Sequence, residues 1–319
     1  MAKIVSVGAA VQDVFLSGKV FRAHREEGGD LVEEFPLGAK LEVEDIVITT
    51  GGGATNAAVT FARQGHESKF VGVVGKDPAG RLIRDALKAE GVSVRDTILT
   101  DKFHTGYSTL LLSPNGERTI LVYRGASEHF ERKDFDLEHV EADWLYITSL
   151  AGNLELLQYL LVLAEHKGMK AALDPGRLEL EQAPKLKKLL PRLTVLKANR
   201  DELGRLSRAD NAADIAADLA RTVPIVVVTD GGAGSVACDG ERVIRAGMYK
   251  DVKVVDRTGA GDAFGSGFVA ALARDEPLEK ALTLASANST AVVQQIGAKA
   301  GILREGARLH PMPLKIKSL

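Results

Sequence analysis

A single cysteine, Cys238, serves all 319 residues, so no intrachain disulfide can form and a reducing compartment is expected. It stands in the apolar stretch 235–238 and reads as a packed small hydrophobe rather than a nucleophile. An excess of one charge is lacking too. The 41 basic and 43 acidic residues leave a formal net charge of −2, without the basic surplus of a nucleic-acid binder. No window reaches the roughly 18 apolar residues of a membrane span. The apolar opening, residues 3–11, is interrupted by Gln12 and Asp13 too soon for a cleavable leader, so a cytoplasmic protein is expected. Familiar chemistries are missing as well. There is no Gly-x-x-x-x-Gly-Lys-Ser/Thr loop and no Gly-x-Ser-x-Gly elbow. The histidines (His24, His66, His104, His129, His139, His166 and His310) fall at no zinc-ligand spacing.

What is present is a soluble-protein composition, 45% apolar and 26% charged, of a length suited to one large domain with a small appendage. From residue 69 onward, strands alternate with helices. Strands are predicted at 4–7, 70–74, 144–147, 170–173, 194–196 and 225–228, and helices at 57–64, 79–90, 154–167, 212–221 and 278–293. A broken helix is expected around Pro184 and Pro191, a hairpin over 107–123 turned at Pro114-Asn115-Gly116, a meander to about 248, and a short last helix. The pattern implies an α/β fold with a doubly wound, largely parallel sheet. Residues 15–50 differ: charged, glycine-rich and β-patterned, they read as a small β-sheet projecting as a lid from a main domain of residues 1–14 and 51–319. Such a sheet is marginal alone and is expected to pack on a second subunit or close on ligand.

The stretch that organises the rest is residues 252–272. Val252 to Val255 read as a strand end, Asp256 to Gly261 as a glycine turn, and Asp262 onward as a helix of small and apolar residues. The amides of Gly259, Ala260, Gly261 and Asp262 then meet in front of a helix N-terminus, an anion site. A plainer reading makes Asp262 a cap and the glycines a turn. Gly265 and Gly267 fit a dinucleotide fingerprint formally, but inside a helix they read as packing. Asp13 follows the first strand at the sheet's carboxyl edge, where ligands sit. Gly51-Gly52-Gly53-Ala54-Thr55-Asn56 strips side chains from a loop and ends on an amide able to donate and accept. Asn199 and Glu202 open a helix, either as a capping box or as an amide and carboxylate able to support hydrated magnesium. Thr229-Asp230-Gly231-Gly232-Ala233-Gly234 is a further glycine turn at a strand end.

Together these pieces resemble the PfkB-type carbohydrate kinases, the ribokinase family, over nearly the whole chain. Residues 51–58 resemble that family's N-terminal signature, residues 256–264 its C-terminal one, and Asn199-x-x-Glu202 its magnesium-linked motif. The resemblance implies phosphoryl transfer from ATP to a hydroxyl of a small sugar. Asp262 would be the general base, with the amides of Gly259, Ala260 and Gly261 as the anion hole. Asp13, Gly51, Gly52, Gly53 and Asn56 would hold sugar hydroxyls. Asn199 and Glu202 would support Mg2+ through water, and Asn199, Thr229, Gly231 and Gly234 would line the nucleotide site. Either Ser286 or Asn288 would touch the adenine. Asp256 and Thr258 stand where the family binds potassium. The lid would also clasp a homodimer.

Some positions depart from the family pattern. Gly53 stands where ribokinases usually carry lysine, Gln295 where arginine is common, and residues 148–153 lack the expected acidic sugar contact. Arg124, at the hairpin exit, would favour an acidic or phosphorylated ligand if it faced the pocket. A nucleoside kinase of the same fold, or a catalytically idle sugar- or nucleoside-binding protein, are the competing readings.

Overall fold

The computed structural model describes residues 1–26, 28–114, 117–250 and 252–319. In chain order, β1 (Lys3–Val7), β2 (Val11–Ser17), the short pair β3 (His24–Arg25) and β4 (Leu31–Val32), and β5 (Asp45–Gly51) lead into α1 (Gly53–Arg63). Next come β6 (Glu67–Val71), β7 (Val73–Gly75), α2 (Pro78–Ala89), β8 (Ile98–Thr100), β9 (Gly106–Leu112) and β10 (Arg118–Tyr123). Then follow β11 (Trp144–Ile147), α3 (Leu154–His166), β12 (Lys170–Leu173), the single-turn α4 (Arg177–Leu180) and α5 (Ala183–Leu186), and β13 (Val195–Asn199). The chain closes with α6 (Arg200–Leu203), α7 (Ala212–Leu219), β14 (Ile225–Thr229), β15 (Ser235–Cys238), β16 (Arg242–Ala246), α8 (Ala260–Leu272), α9 (Leu278–Val292) and β17 (Leu314–Ser318).

The main sheet has nine strands in the order β17-β16-β15-β14-β13-β12-β11-β1-β6. From β6 to β14 the pairs are parallel; β15, β16 and β17 add an antiparallel flank. Period-2 alternation sorts its side chains between two cores. Val5, Val7, Leu145, Ile147, Val226 and Val228 join the core beneath α3 and α7. Ile4, Trp144, Tyr146, Val195 and Val227 join the core beneath α8 and α9. Helices therefore cover both faces, the doubly wound arrangement that the alternating sequence implies.

Local chemistry fixes the ends. Asp77 accepts a hydrogen bond from Gly80 N with Pro78 at the first helical position, which starts α2. Asn153 accepts from Leu156 N at 2.9 Å and starts α3. Gly259 is left-handed at φ 76°, and a Cβ there would lie 2.3 Å from the Ala298 Cβ, so only glycine lets the chain turn into α8.

Three expectations change. Residues 252–255 form no strand: Val254 and Val255 are exposed, and the amides of Val255 and Asp256 both donate to Val293 O. The last element is a strand, β17, because Leu314-Lys315-Ile316-Lys317 alternates with period 2 and pairs along β16. The small sheet also extends beyond residues 15–50. Its order is β10-β9-β2-β5, so the 107–123 hairpin belongs to it and β2 enters it at Val11. The turn expected at Asn115 and Gly116 lies outside the described residues.

His66 ties the N-terminus to α8. Ala2 N donates to its Nδ1 at 3.3 Å, which leaves Nε2 to donate to Ala270 O at 3.0 Å. The ring is buried, and burial pushes its pKa below 6.5. Folded protein therefore resists a proton that unfolded chain accepts, so this group's contribution is complete above pH 6.5 and lost as pH falls. Urea unfolding of wild type and His66→Gln should show a stability gap that shrinks below pH 6.5. A gap constant to pH 5 would contradict the assignment.

Candidate active site

Two chambers open at the carboxyl edge of the main sheet and meet at the N-terminus of α8. The first, about 330 Å³, is walled by Ala9, Gly53, Thr148, Lys197, Gly261 and Asp262, among others. The second, about 450 Å³, is walled by Gly231, Gly234, Met248, Val254, Phe264 and Ser286, among others. Asn199, Thr229 and Gly261 border both. The first bond inside α8 runs from Ala263 N to Gly259 O at 2.8 Å, so the amides of Gly261 and Asp262 stand ahead of the hydrogen-bonded turns. Those amides and the positive dipole end suit an anion at the junction.

Asp262 projects into the first chamber, and its orientation is set from another helix. Asn56 Nδ2 on α1 donates to Asp262 Oδ2 at 2.7 Å. Asn56 Oδ1 accepts from Lys299 Nζ at 2.7 Å, and the same ammonium donates to Thr50 O at 2.6 Å and Thr55 Oγ1 at 2.9 Å. Lys299, in the loop after α9, thus fixes which end of the Asn56 amide faces the carboxylate. Both amide ends are spent inside the protein, and Asn56 is buried. Gly53 keeps the approach to the carboxylate clear: a Cβ there would sit 3.2 Å from Asp262 Oδ1 and from Thr148.

Other expected residues take varied places. Asp13 is buried in the middle of β2 rather than on a loop, because the chain turns at Gly8 and re-enters sheet at Val11. Burial raises its pKa to about 6, against the opposing pull of Lys299 and a hydrogen bond with Ser108. Gly51 leaves room for that carboxylate, since a Cβ would fall 2.0 Å from Asp13 Oδ2. Gly52 is left-handed at φ 97°, where its Cβ would strike Ala9 O. Neither borders a chamber. Asn199 and Glu202 form the reciprocal capping box, at 2.9 and 3.0 Å, while both side chains still border the first chamber. Thr229, Gly231 and Gly234 line the second chamber, as does Ser286. Asn288 does not: fully buried, it donates to Ala263 O and accepts from Leu303 N. Arg124 borders neither chamber and pairs with Glu128 on the surface, so it supplies no pocket charge.

Asp256 Oδ1 accepts from the amide and hydroxyl of Thr258, and Oδ2 from Gly297 N. Arg118 of β10 lies 3.9 Å from the same carboxylate. Each carboxylate oxygen thus has a protein donor, and a guanidinium stands beside one of them. Among the described residues no three His, Cys, Asp or Glu side chains cluster as a metal cage. Asn199 and Glu202 suit instead a magnesium ion that keeps its waters and leans on phosphates.

Three further groups were not singled out from the sequence. Lys299 left no signal beyond being a lone charge among small residues. Lys197 and Asp174 form an ion pair of 2.7 Å at the first chamber. Burial lifts Asp174 to about 6; burial also works to lower Lys197, but Asp174 beside it prevails and raises it. A charged residue inside the otherwise apolar strand Val195-Leu196-Lys197-Ala198 was the available clue. Glu179, buried, accepts from Leu150 N, Gly152 N and Gly176 N at 2.6–2.9 Å and so holds the loops that wall the chamber.

Known proteins resemble this chain in sequence and in fold. The profile described as pfkB family carbohydrate kinase matches residues 2–304. A fructokinase of Salmonella typhimurium is 32% identical over 254 residues, covering 74% of this chain and 82% of that protein. A ribokinase of Haemophilus influenzae is 25% identical over 275 residues, covering 83% of this chain and 88% of its own. In fold, the chain is similar to the Methanocaldococcus jannaschii nucleoside kinase, at TM-score 0.78, 23% identity and 95% coverage of both chains. It is also similar to Arabidopsis thaliana ribokinase complexed with ribose and ATP, at TM-score 0.74 and 24% identity, covering 95% of this chain and 96% of that one. This chain belongs to the pfkB family of carbohydrate kinases.

Proposed function

We propose that the protein transfers the γ-phosphoryl group of ATP to a hydroxyl of a small sugar. The observation that carries this reading is the meeting of the Asp262 carboxylate and the open amides of α8 where two chambers join. The second chamber, with Met248, Val252, Val254, Phe264 and Val293 on its wall, suits a purine ring. The first is lined by small and polar groups. No aromatic side chain borders it among the described residues, so a base would find no stacking platform there, which favours a sugar over a nucleoside.

In this reading the acceptor hydroxyl lies against Asp262, which takes its proton as the new O–P bond forms. The open amides of Gly261 and Asp262 receive the charge that builds on the phosphoryl oxygens, whereas the Ala260 amide, expected to share in this, is already donated to Arg257 O at 3.3 Å. Asn199 and Glu202 would hold magnesium through water; when bound, it neutralises phosphate charge. Thr229, Gly231 and Gly234 support the nucleotide. Asp13, on the inner face of the small sheet, lies close enough to Lys299 and Asp262 to feel their charges, so that sheet brings polar groups over the sugar and excludes water. We assign no step to potassium. The buried Cys238 thiol fits a cytoplasmic home.

The small sheet also supports a homodimer. Register places Ile46, Ile48, Tyr107, Leu121 and Tyr123 on the face turned away from Asp13 and Ser108, and all five are exposed. An apolar patch of that extent seeks a partner, and a two-fold axis lets it cover itself.

Three outcomes are expected. Asp262→Asn should lower turnover about a thousandfold in a coupled ADP-release assay while nucleotide affinity stays within about threefold; turnover within tenfold of wild type would reject the base. Ile48→Asp with Leu121→Asp should elute as monomer where wild type elutes as dimer. A monomeric wild type, or a doubly substituted dimer, would remove the clasp. Lys299→Met should cut kcat about tenfold or more with nucleotide affinity retained, because Asn56 loses its anchor. Burial works to lower the Lys299 pKa, while the carboxylates of Asp13 and Asp262 oppose it and favour the ammonium that three donated hydrogen bonds require.

A further inference from the structure

Lys197 is the only basic side chain bordering the first chamber among the described residues, whereas Asp174, Glu202 and Asp262 are carboxylates there. It sits on β13, whose period-2 alternation turns Val195, Lys197 and Asn199 toward α8. The ammonium is 2.7 Å from Asp174 Oδ2, and the two side chains are 8% and 12% exposed. α8 is shaped to admit it. A Cβ at Gly261 would lie 3.3 Å from Lys197 Nζ, and one at Gly265 would lie 3.1 Å from Lys197 Cδ and 2.5 Å from Tyr146 Oη. These glycines are one turn apart on one helix face, so their missing side chains make the groove in which the lysine stem lies. That explains two glycines in a helix, where each weakens the helix.

A purely structural ion pair is a poor account of this arrangement. Taking two charges out of water costs about as much as their attraction returns, and apolar packing would serve the fold as well. The ammonium has three donors, and one hydrogen bond, to Asp174, accounts for one of them. Its position against Gly261 puts the remaining donors beside the amides that face the chamber junction.

We propose that Lys197 is a catalytic residue whose ammonium, braced by Asp174 beneath the glycine face of α8, contacts the phosphoryl group during its transfer. The proposal rests on the kinase reading above. Its chemistry is charge neutralisation. The terminal phosphate enters a chamber holding three carboxylates, and a fixed cation there stabilises the oxygens on which negative charge is carried as the bond to the leaving diphosphate breaks. Lys197 exchanges no proton in this role. Asp174 acts through it as a positioning residue.

The test uses Lys197→Met and the pair Lys197→Met with Asp174→Asn, which leaves no unpaired buried carboxylate and keeps the comparison open if the single variant folds poorly. Both are expected to lose about a hundredfold in kcat, with the sugar KM within threefold. By calorimetry they should bind a non-hydrolysable ATP analogue at least fivefold more weakly than wild type while binding ADP unchanged. A folded double variant with kcat within threefold of wild type would overturn the proposal. So would equal weakening of ADP and the analogue, which is the mark of a structural role. If wild type releases no ADP with any sugar or nucleoside, the kinase reading fails by itself, and the selective loss of the analogue still decides whether Lys197 meets a terminal phosphate.

Discussion

The hydrogen bond from Asn56 to Asp262 is the constraint on which the rest of the site depends. A carboxylate in the first turn of a helix can swing back to cap its own amides, and Asp262 would then block the anion site it borders. Here the Asn56 amide pulls the carboxylate toward α1 at 2.7 Å, and Lys299 prevents that amide from flipping. In the proposed reading the Gly261 and Asp262 amides are left for an anion, and the carboxylate for a hydroxyl. Three segments far apart in the chain must be in place together for this, since Asn56 and Lys299 are separated by 243 residues.

That dependence also explains the position of the small sheet. Thr50, in its strand β5, gives its carbonyl to the same ammonium that orients Asn56. Gly51, next along, leaves space for the Asp13 carboxylate of β2. The sheet is therefore linked by polar contacts, through Lys299 and Asn56, to Asp262. A shift of β5 would be felt by Lys299, then by Asn56, then by Asp262, through hydrogen bonds of 2.6–2.7 Å. In the proposed reading, such a chain would make closure over substrate and alignment of the base one event.

Much of this was legible in the sequence because local patterns carried it. The apolar run Ile225-Val226-Val227-Val228 has the look of a strand covered on both faces, and the glycine turn that follows its end falls at the carboxyl edge of the sheet, where ligands sit. Other features depended on partners that periodicity does not reveal. The β2–β9 pairing joins strands almost a hundred residues apart, so nothing near the 107–123 hairpin marked it as part of the small sheet. Val254 and Val255 are β-branched yet form no strand, because no neighbour pairs with them and Val254 walls a cavity instead. The strand β17 was within reach, since Leu314-Lys315-Ile316-Lys317 alternates; its short length and its place at the end of the chain hid it. Lys299 had no sequence mark, as its meaning lies wholly in the three acceptors that surround it.

Charge distribution links the two buried lysines. Asp262, Asp174 and Glu202 border one chamber, and Asp13 lies close enough to Asp262 to feel its charge. Two ammonium groups sit among them, Lys299 beside Asn56 and Lys197 beside Asp174, each held by polar atoms of the fold rather than by solvent. The first orients Asn56 and so Asp262, and its charge opposes that of Asp262 at Asp13. In the proposed reading the second lies where a terminal phosphate would meet it. With Gly53 opening the approach to Asp262, and Gly261 and Gly265 opening the path of Lys197, the glycines of both sequence motifs make room for charged groups contributed by other elements. A side chain added at Gly261 would press on the Lys197 ammonium, one at Gly53 on Asp262 and Thr148, and one at Gly265 on Tyr146 and the Lys197 stem.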